Sequence, residues 1–144
     1  MNNWVLVGSS FLFLIPVIIF ETYVKIKPIY ENYLAKLVLF TSTVSVLFWS
    51  NPIHYGITHK LDGIVAKVTF AILFYYVVFI KVFNAYVLGD VFLGSILFIA
   101  IIQLGLMIYS SDYYSQREWC GIEHITCHAL FHVFSSICIS FAFI

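Results

Sequence analysis

Five apolar runs divide this chain, none interrupted by more than isolated charges: Trp4 to Phe20, Leu37 to Ser50, Ile64 to Phe83, Val91 to Ser110, and the tail from Trp119 to Ile144. A helix rises about 1.5 Å per residue and a hydrocarbon core is about 30 Å thick, so each run, with its flanks, reaches across or nearly across a bilayer. The expectation is an all-α polytopic transmembrane helical bundle of about five helices, a single domain over residues 1–144. Composition agrees: 62% hydrophobic residues against 10% charged excludes an ordinary soluble protein. Seven Lys plus Arg balance seven Asp plus Glu, which sets nucleic acid aside as a partner. Three cysteines, Cys120, Cys127 and Cys138, are too few for a disulfide framework. The first run has no basic residue before it and no small-residue cleavage site before Glu21, so it reads as a retained span rather than a signal peptide.

The connecting stretches are short. Glu21 to Lys36 gathers Lys25, Lys27, Glu31 and Lys36 among tyrosines and reads as an interfacial loop. Thr41, Ser42, Thr43 and Ser45 supply hydroxyls of the kind that let membrane helices approach one another. Asn51 to Gly63 is a polar turn, Asn84 to Asp90 another, and Asp112 to Glu118 the last. Pro16 marks a kink. No internal repeat or low-complexity tract stands out.

Five spans place residues by parity. His54, His59, Asp62 and His124 fall at the face where the chain starts, and Trp4, Trp49 and Trp119 fall there too, as interfacial tryptophans should. The opposite face carries Lys25, Lys27, Lys36 and Lys81 against Lys60, Lys67 and Arg117 on the first. The positive-inside bias therefore places the N-terminal face on the lumenal or extracellular side by one residue.

Chemistry concentrates in the last run. His128 and His132, four apart, share a helix face one turn from each other, which is metal-ligand spacing, and ionisable groups inside a membrane helix point to a site with partners elsewhere. A catalytic zinc takes three protein ligands plus a water whose pKa it lowers to about 7. His54 is the first choice for the third ligand, with His59, His124 and Cys120 as rivals. Asp62 could take the water's proton or orient a ligand, and Ser50 could donate to the water or a developing oxyanion. The neutral alternative for each histidine is a hydrogen bond within a packed bundle. On that view His124 and Cys120 are wetted interfacial residues, His59 belongs to an exposed loop, Cys127 and Gln103 serve packing, and Glu123 complements a helix N-terminus.

Ser50-Asn-Pro-Ile-His54, His59-Lys-Leu-Asp62-Gly and His128-Ala-Leu-Phe-His132 together resemble the CREST superfamily of membrane proteins, which includes alkaline ceramidases, progestin and adipoQ receptors and haemolysin-III-type proteins. The resemblance implies that His54, His128 and His132 bind zinc, that Ser50 and Asp62 stand beside it as catalytic groups, and that the substrate is a membrane lipid cleaved at an amide or ester bond. Members of the family usually have seven spans, whereas the 65 residues between Asp62 and His128 hold two intervening helices rather than four. Two other function classes stand beside the zinc hydrolase. One is a non-enzymatic membrane protein with a structural metal or polar cluster. The other is a haem protein with histidines from facing helices as axial ligands. A bundle this small buries few of its faces, which leaves room for a homo-oligomer.

Overall fold

The computed structural model describes residues 3–24, 26 and 28–143. Lys25 and Lys27, two of the cations weighed above for orientation, lie outside the described residues. Among the described residues five helices are long and apolar enough to cross a membrane: α1 (Trp4–Tyr23), α2 (Ile29–Ser50), α3 (Ile57–Val87), α4 (Val91–Arg117) and α5 (Ile122–Phe143). The chain is an integral, multi-pass, all-α membrane protein.

Pro16 leaves its mark on α1. The helix tightens to a 3-10 turn over Phe11–Phe13, and proline has no N–H to offer the carbonyl four residues back, that of Leu12. Ser136 on α5 supplies the missing donor, its hydroxyl 2.7 Å from the Leu12 oxygen. The same device joins α2 to α1, where Ser42 donates to the Ser10 carbonyl at 2.8 Å. Thr41 meets Thr69 of α3 at 2.7 Å. Small hydroxyl side chains thus link backbones across helices, as the sequence pattern suggested for Thr41 and Ser42. Thr43 is exposed and bonds back to Leu39.

Three helices overrun their expected limits. α2 begins at Ile29 instead of emerging from a loop, α3 runs from Ile57 through Val87, and α4 continues through the supposed last loop to Arg117. The start of α2 is explained by Glu31, which is buried at 4% exposure instead of lying at an interface. Lys81 of α3 sits 3.3 Å from its Oε1, and the Tyr76 hydroxyl lies 2.5 Å from the same oxygen and 3.1 Å from the Ala142 carbonyl. Tyr76 and Lys81 are five apart, which on an α-helix puts them about 140° apart. Here Tyr76–Val82 is π-helical, and its i→i+5 bonding turns residues five apart toward one face. The wide turn lets both groups reach one carboxylate.

α3 therefore has two halves with different neighbours. Its first half packs on α2, and its π-helical half packs on α4. α4 packs along α5, and α5 along α1, which closes a ring at the face remote from the N-terminus. The core there is aromatic and aliphatic, with Phe20 and Phe143 rings 4.9 Å apart and Leu97, Ile101, Leu104 and Ile139 buried beside them. At the N-terminal face a second cluster of Leu6, Val7, Phe48, Trp49 and Cys120 holds α1, α2 and the start of α5 together. Between the first half of α3 and the last half of α4 the ring opens.

Candidate functional site

That opening is a cleft of about 710 Å³. Lys60, Asp62 and Lys67 line it from α3, Ser111, Asp112 and Ser115 from α4, and His124 and His128 from α5, with Trp49 and Phe70 among its apolar walls. Its polar side chains gather toward the N-terminal face of the bundle, and Phe70, Ile108 and Phe131 line its deeper end.

Two helices enter this region through the same five-residue turn. Tyr55-Gly56-Ile57-Thr58-His59 opens α3, and Cys120-Gly121-Ile122-Glu123-His124 opens α5. Tyr55 and Cys120 both adopt left-handed backbone, φ 59° and 58°. Each donates its backbone N–H to Nδ1 of the histidine four residues on, at 3.1 Å in both cases. Left-handed backbone costs a residue with a side chain about 1–2 kcal/mol, and the histidine acceptor offsets part of it by satisfying an N–H two residues ahead of the helix. This short repetition has too little length to stand out in a search for repeats. It corrects two expectations: His59 is half-buried in α3, its ring stacked 5.3 Å from Phe48, and His124 is 2% exposed rather than wetted. Cys120 is buried too, and burial pushes its thiol up from the ordinary cysteine value.

Beyond each turn lies a matching pair. Ser45 of α2 donates to Asp62 Oδ1 at 2.5 Å, and Ser111 of α4 lies 2.8 Å from His128 Nδ1. Both pairs span 17 residues and join the two helices of one hairpin, α2 with α3 and α4 with α5. Counted from the equivalent turns, Asp62 stands seven residues on and His128 eight, which places them at similar depth. Sequence alone marks neither serine for chemistry: Ser45 reads as a packing hydroxyl, and Ser111 stands beside the expected loop.

The expected site residues divide. His128 and His132 are brought together, their rings 4.7 Å apart and nearly perpendicular. His132 is 2% exposed and its Nδ1 lies 2.9 Å from Ser9 Oγ of α1. Asp62 is buried and faces the same cleft as His128. His54 is not in the cleft lining but packs against its rim: α2 ends at Ser50, so Pro52 breaks the segment, and the His54 ring stacks on Trp119 at 4.2 Å and Tyr55 at 3.9 Å and lies 5.3 Å from that of His59. Ser50 is exposed and donates to the Val46 carbonyl of its own helix at 2.7 Å. Trp49 is no interfacial anchor. It is 1% exposed, its ring 5.0 Å from that of His128, and its Nε1 has no hydrogen-bond partner among the described residues. Glu123 does lie in the exposed first turn of α5, where its charge suits the helix dipole.

The donors do not fit a three-ligand zinc centre as arranged. Among the described residues no group of three His, Cys, Asp or Glu side chains converges on a common point. The hydrogen bonds explain part of this. An imidazole that accepts an N–H at Nδ1 carries its own proton on Nε2 when neutral, so His59 and His124 have no free lone pair for a metal.

The chain matches no family model, no curated protein and no solved structure. The residues themselves carry the functional argument.

Proposed function

We propose that this protein is an intramembrane hydrolase that cleaves an amide or ester bond of a membrane lipid bound in the cleft between α3 and α4. The observation that carries the reading is the cleft itself: about 710 Å³, apolar along its membrane-embedded walls and furnished with Asp62 and His128 on opposite helices at similar depth. Acyl chains would lie against Phe70, Ile64 and Ile108, and the head group would face Lys60 and Asp112. Asp62, held by Ser45, would accept a hydrogen bond from a hydroxyl or amide N–H of the lipid, and His128 would handle the proton. Buried ionisable groups in a membrane are costly, and their placement on a lipid-accessible cavity favours a working role over a structural one.

The test is release of fatty acid, followed by mass spectrometry, from vesicles holding the purified full chain with a ceramide or a phospholipid. Asp62→Asn and His128→Gln should each lower release by at least about 10²-fold, the scale of a lost acid–base group. Wild-type protein that releases nothing from either lipid class sinks the hydrolase reading.

A metal-centred version of the same hydrolysis is favoured by one observation. If Ser9 donates to the Leu6 carbonyl, 3.1 Å away, its oxygen accepts from His132 Nδ1–H and the Nε2 lone pair of His132 is open. Elemental analysis showing one zinc per chain, lost in His132→Ala, would establish that version.

A further inference from the structure

We propose that Ser111 is the nucleophile of this site, with His128 as its general base and the Trp49 indole N–H as donor to the oxyanion, the substrate being a carboxylic ester or amide of an amphiphile. The proposal rests on the hydrolase reading and names its machinery.

Ser111 differs from the helical hydroxyls of the chain that bond back to their own helix. Thr22, Thr41, Thr43, Ser50, Ser110 and Ser140 all donate to the carbonyl four residues back, as serine and threonine commonly do inside helices. Ser110, the immediate neighbour of Ser111, does so to Leu106 at 2.9 Å. The Ser111 hydroxyl has no carbonyl partner. Its one hydrogen bond among the described residues is the 2.8 Å contact with His128 Nδ1. Ser111 is 6% exposed and has no carbonyl partner among the described residues, so donation to His128 Nδ1 is the arrangement that satisfies its proton. The neutral imidazole then carries its proton on Nε2 and presents a basic nitrogen to a serine hydroxyl at hydrogen-bond distance, the geometry that activates a nucleophile. Both side chains line the cleft.

The second observation is independent of the first. Trp49 Nε1 is a buried donor without a partner among the described residues, on a side chain that is 1% exposed and lines the same cleft, its ring 5.0 Å from His128. Native structures rarely leave such a donor unpaired unless something else completes it. A carbonyl oxygen gaining negative charge beside His128 is the acceptor it lacks.

The chemistry closes. Ser111 Oγ adds to the carbonyl carbon while His128 Nδ1 takes the hydroxyl proton, and Trp49 N–H donates to the carbonyl oxygen. Collapse of the tetrahedral adduct expels the alcohol or amine, which departs with the proton held on His128, and leaves the acyl group as an ester on Ser111. Water entering past Lys60 and Asp112 gives its proton to His128 and its hydroxide to the acyl carbon. The fatty acid leaves and the serine hydroxyl is restored.

The experiment is covalent labelling of the full chain, in vesicles of phosphatidylcholine, by an alkyl fluorophosphonate, with the modified peptide identified by mass spectrometry. Ser111 displaces fluoride and becomes the labelled residue. Ser111→Ala abolishes labelling, His128→Gln slows it by about 10³-fold, and Ser110→Ala, one residue away, leaves it unchanged. Helicity and thermal unfolding like those of the wild type qualify each variant. Trp49→Phe, which keeps an aromatic ring and removes the donor, lowers lipid turnover by about 10²-fold. Labelling at any other residue, or none, overturns the proposal. Fatty-acid release that persists in Ser111→Ala also overturns it while leaving the hydrolase reading intact; absence of both release and labelling in the wild type removes the two together.

Discussion

The Glu31 cluster offers the most demanding test of how this bundle is held. Lys81 Nζ lies 3.3 Å from Glu31 Oε1, a separation at which the gross attraction is about 5 kcal/mol for an effective dielectric constant near 20. Desolvation of both ions takes back much of that, so the pair itself is worth little compared with a well-packed apolar replacement. Removing one member is another matter, because it strands the other: the expected cost is about 3–5 kcal/mol for a buried pair. The Lys81 side chain keeps 24% of its surface exposed, which puts the loss for Lys81→Met near the lower end, about 3 kcal/mol. Glu31→Leu should cost more, since it also deprives Tyr76 of its closest acceptor. Glu31→Gln keeps an acceptor for Tyr76 and isolates the charge. The double variant Glu31→Leu/Lys81→Met should be less damaged than the sum of the singles by about 2 kcal/mol, within the range of coupling found for contacting residues. Unfolding followed by circular dichroism in mixed micelles of increasing dodecyl sulfate fraction measures all four proteins. Additivity to within about 0.5 kcal/mol would refute the argument, because it would mean that the π-helical turn does not serve to bring Lys81 onto Glu31.

Further predictions concern the N-terminal face. His124→Ala removes the acceptor for the Cys120 N–H at the start of α5 and should cost about 1–2 kcal/mol in the same unfolding assay; an unchanged midpoint would show that this cap is idle. His132→Ala empties a position of 2% exposure that also holds Ser9, and should cost about 3 kcal/mol or more. Because burial raises the Cys120 thiol, its thiolate fraction at neutral pH is depressed, so maleimide should modify it more slowly than an unfolded cysteine at pH 7 and faster as pH rises; immediate modification in the folded protein would contradict the burial. A colourless purified protein, with no absorption band near 400 nm to report haem, is the expected visible spectrum, since His59 and His124 each spend the Nδ1 lone pair on a backbone N–H.

Much of this architecture is legible from hydropathy, because a membrane span needs little more than length and apolar content. Parity placed Trp49, Trp119, Asp62 and His124 at one face, and they do gather there. The pairing of His128 with His132 follows from helical spacing alone. What escaped the reading depends on backbone detail that spacing does not encode. Glu31 and Lys81 look like interfacial charges until a π turn rotates Lys81 inward. His54 shares a face with Ser50 only if a helix passes through Pro52, and it does not. Ser111 lies beside Ser110 in an ordinary run of small residues, and it is the burial of Ser111 and the partner of its hydroxyl that separate the two.

The shared turn at the start of α3 and α5 acts as a gauge of depth. Every residue beyond it is positioned by counting from a fixed notch, so Asp62 and His128 owe their common level to the seven and eight steps that separate them from Tyr55 and Cys120. Length is therefore unequally tolerated along this chain. One residue added between His124 and His128 would swing the latter about 100° around its axis and away from Ser111, whereas one added among Asn51, Pro52 and Ile53 lies upstream of the notch and leaves the calibration of α3 untouched.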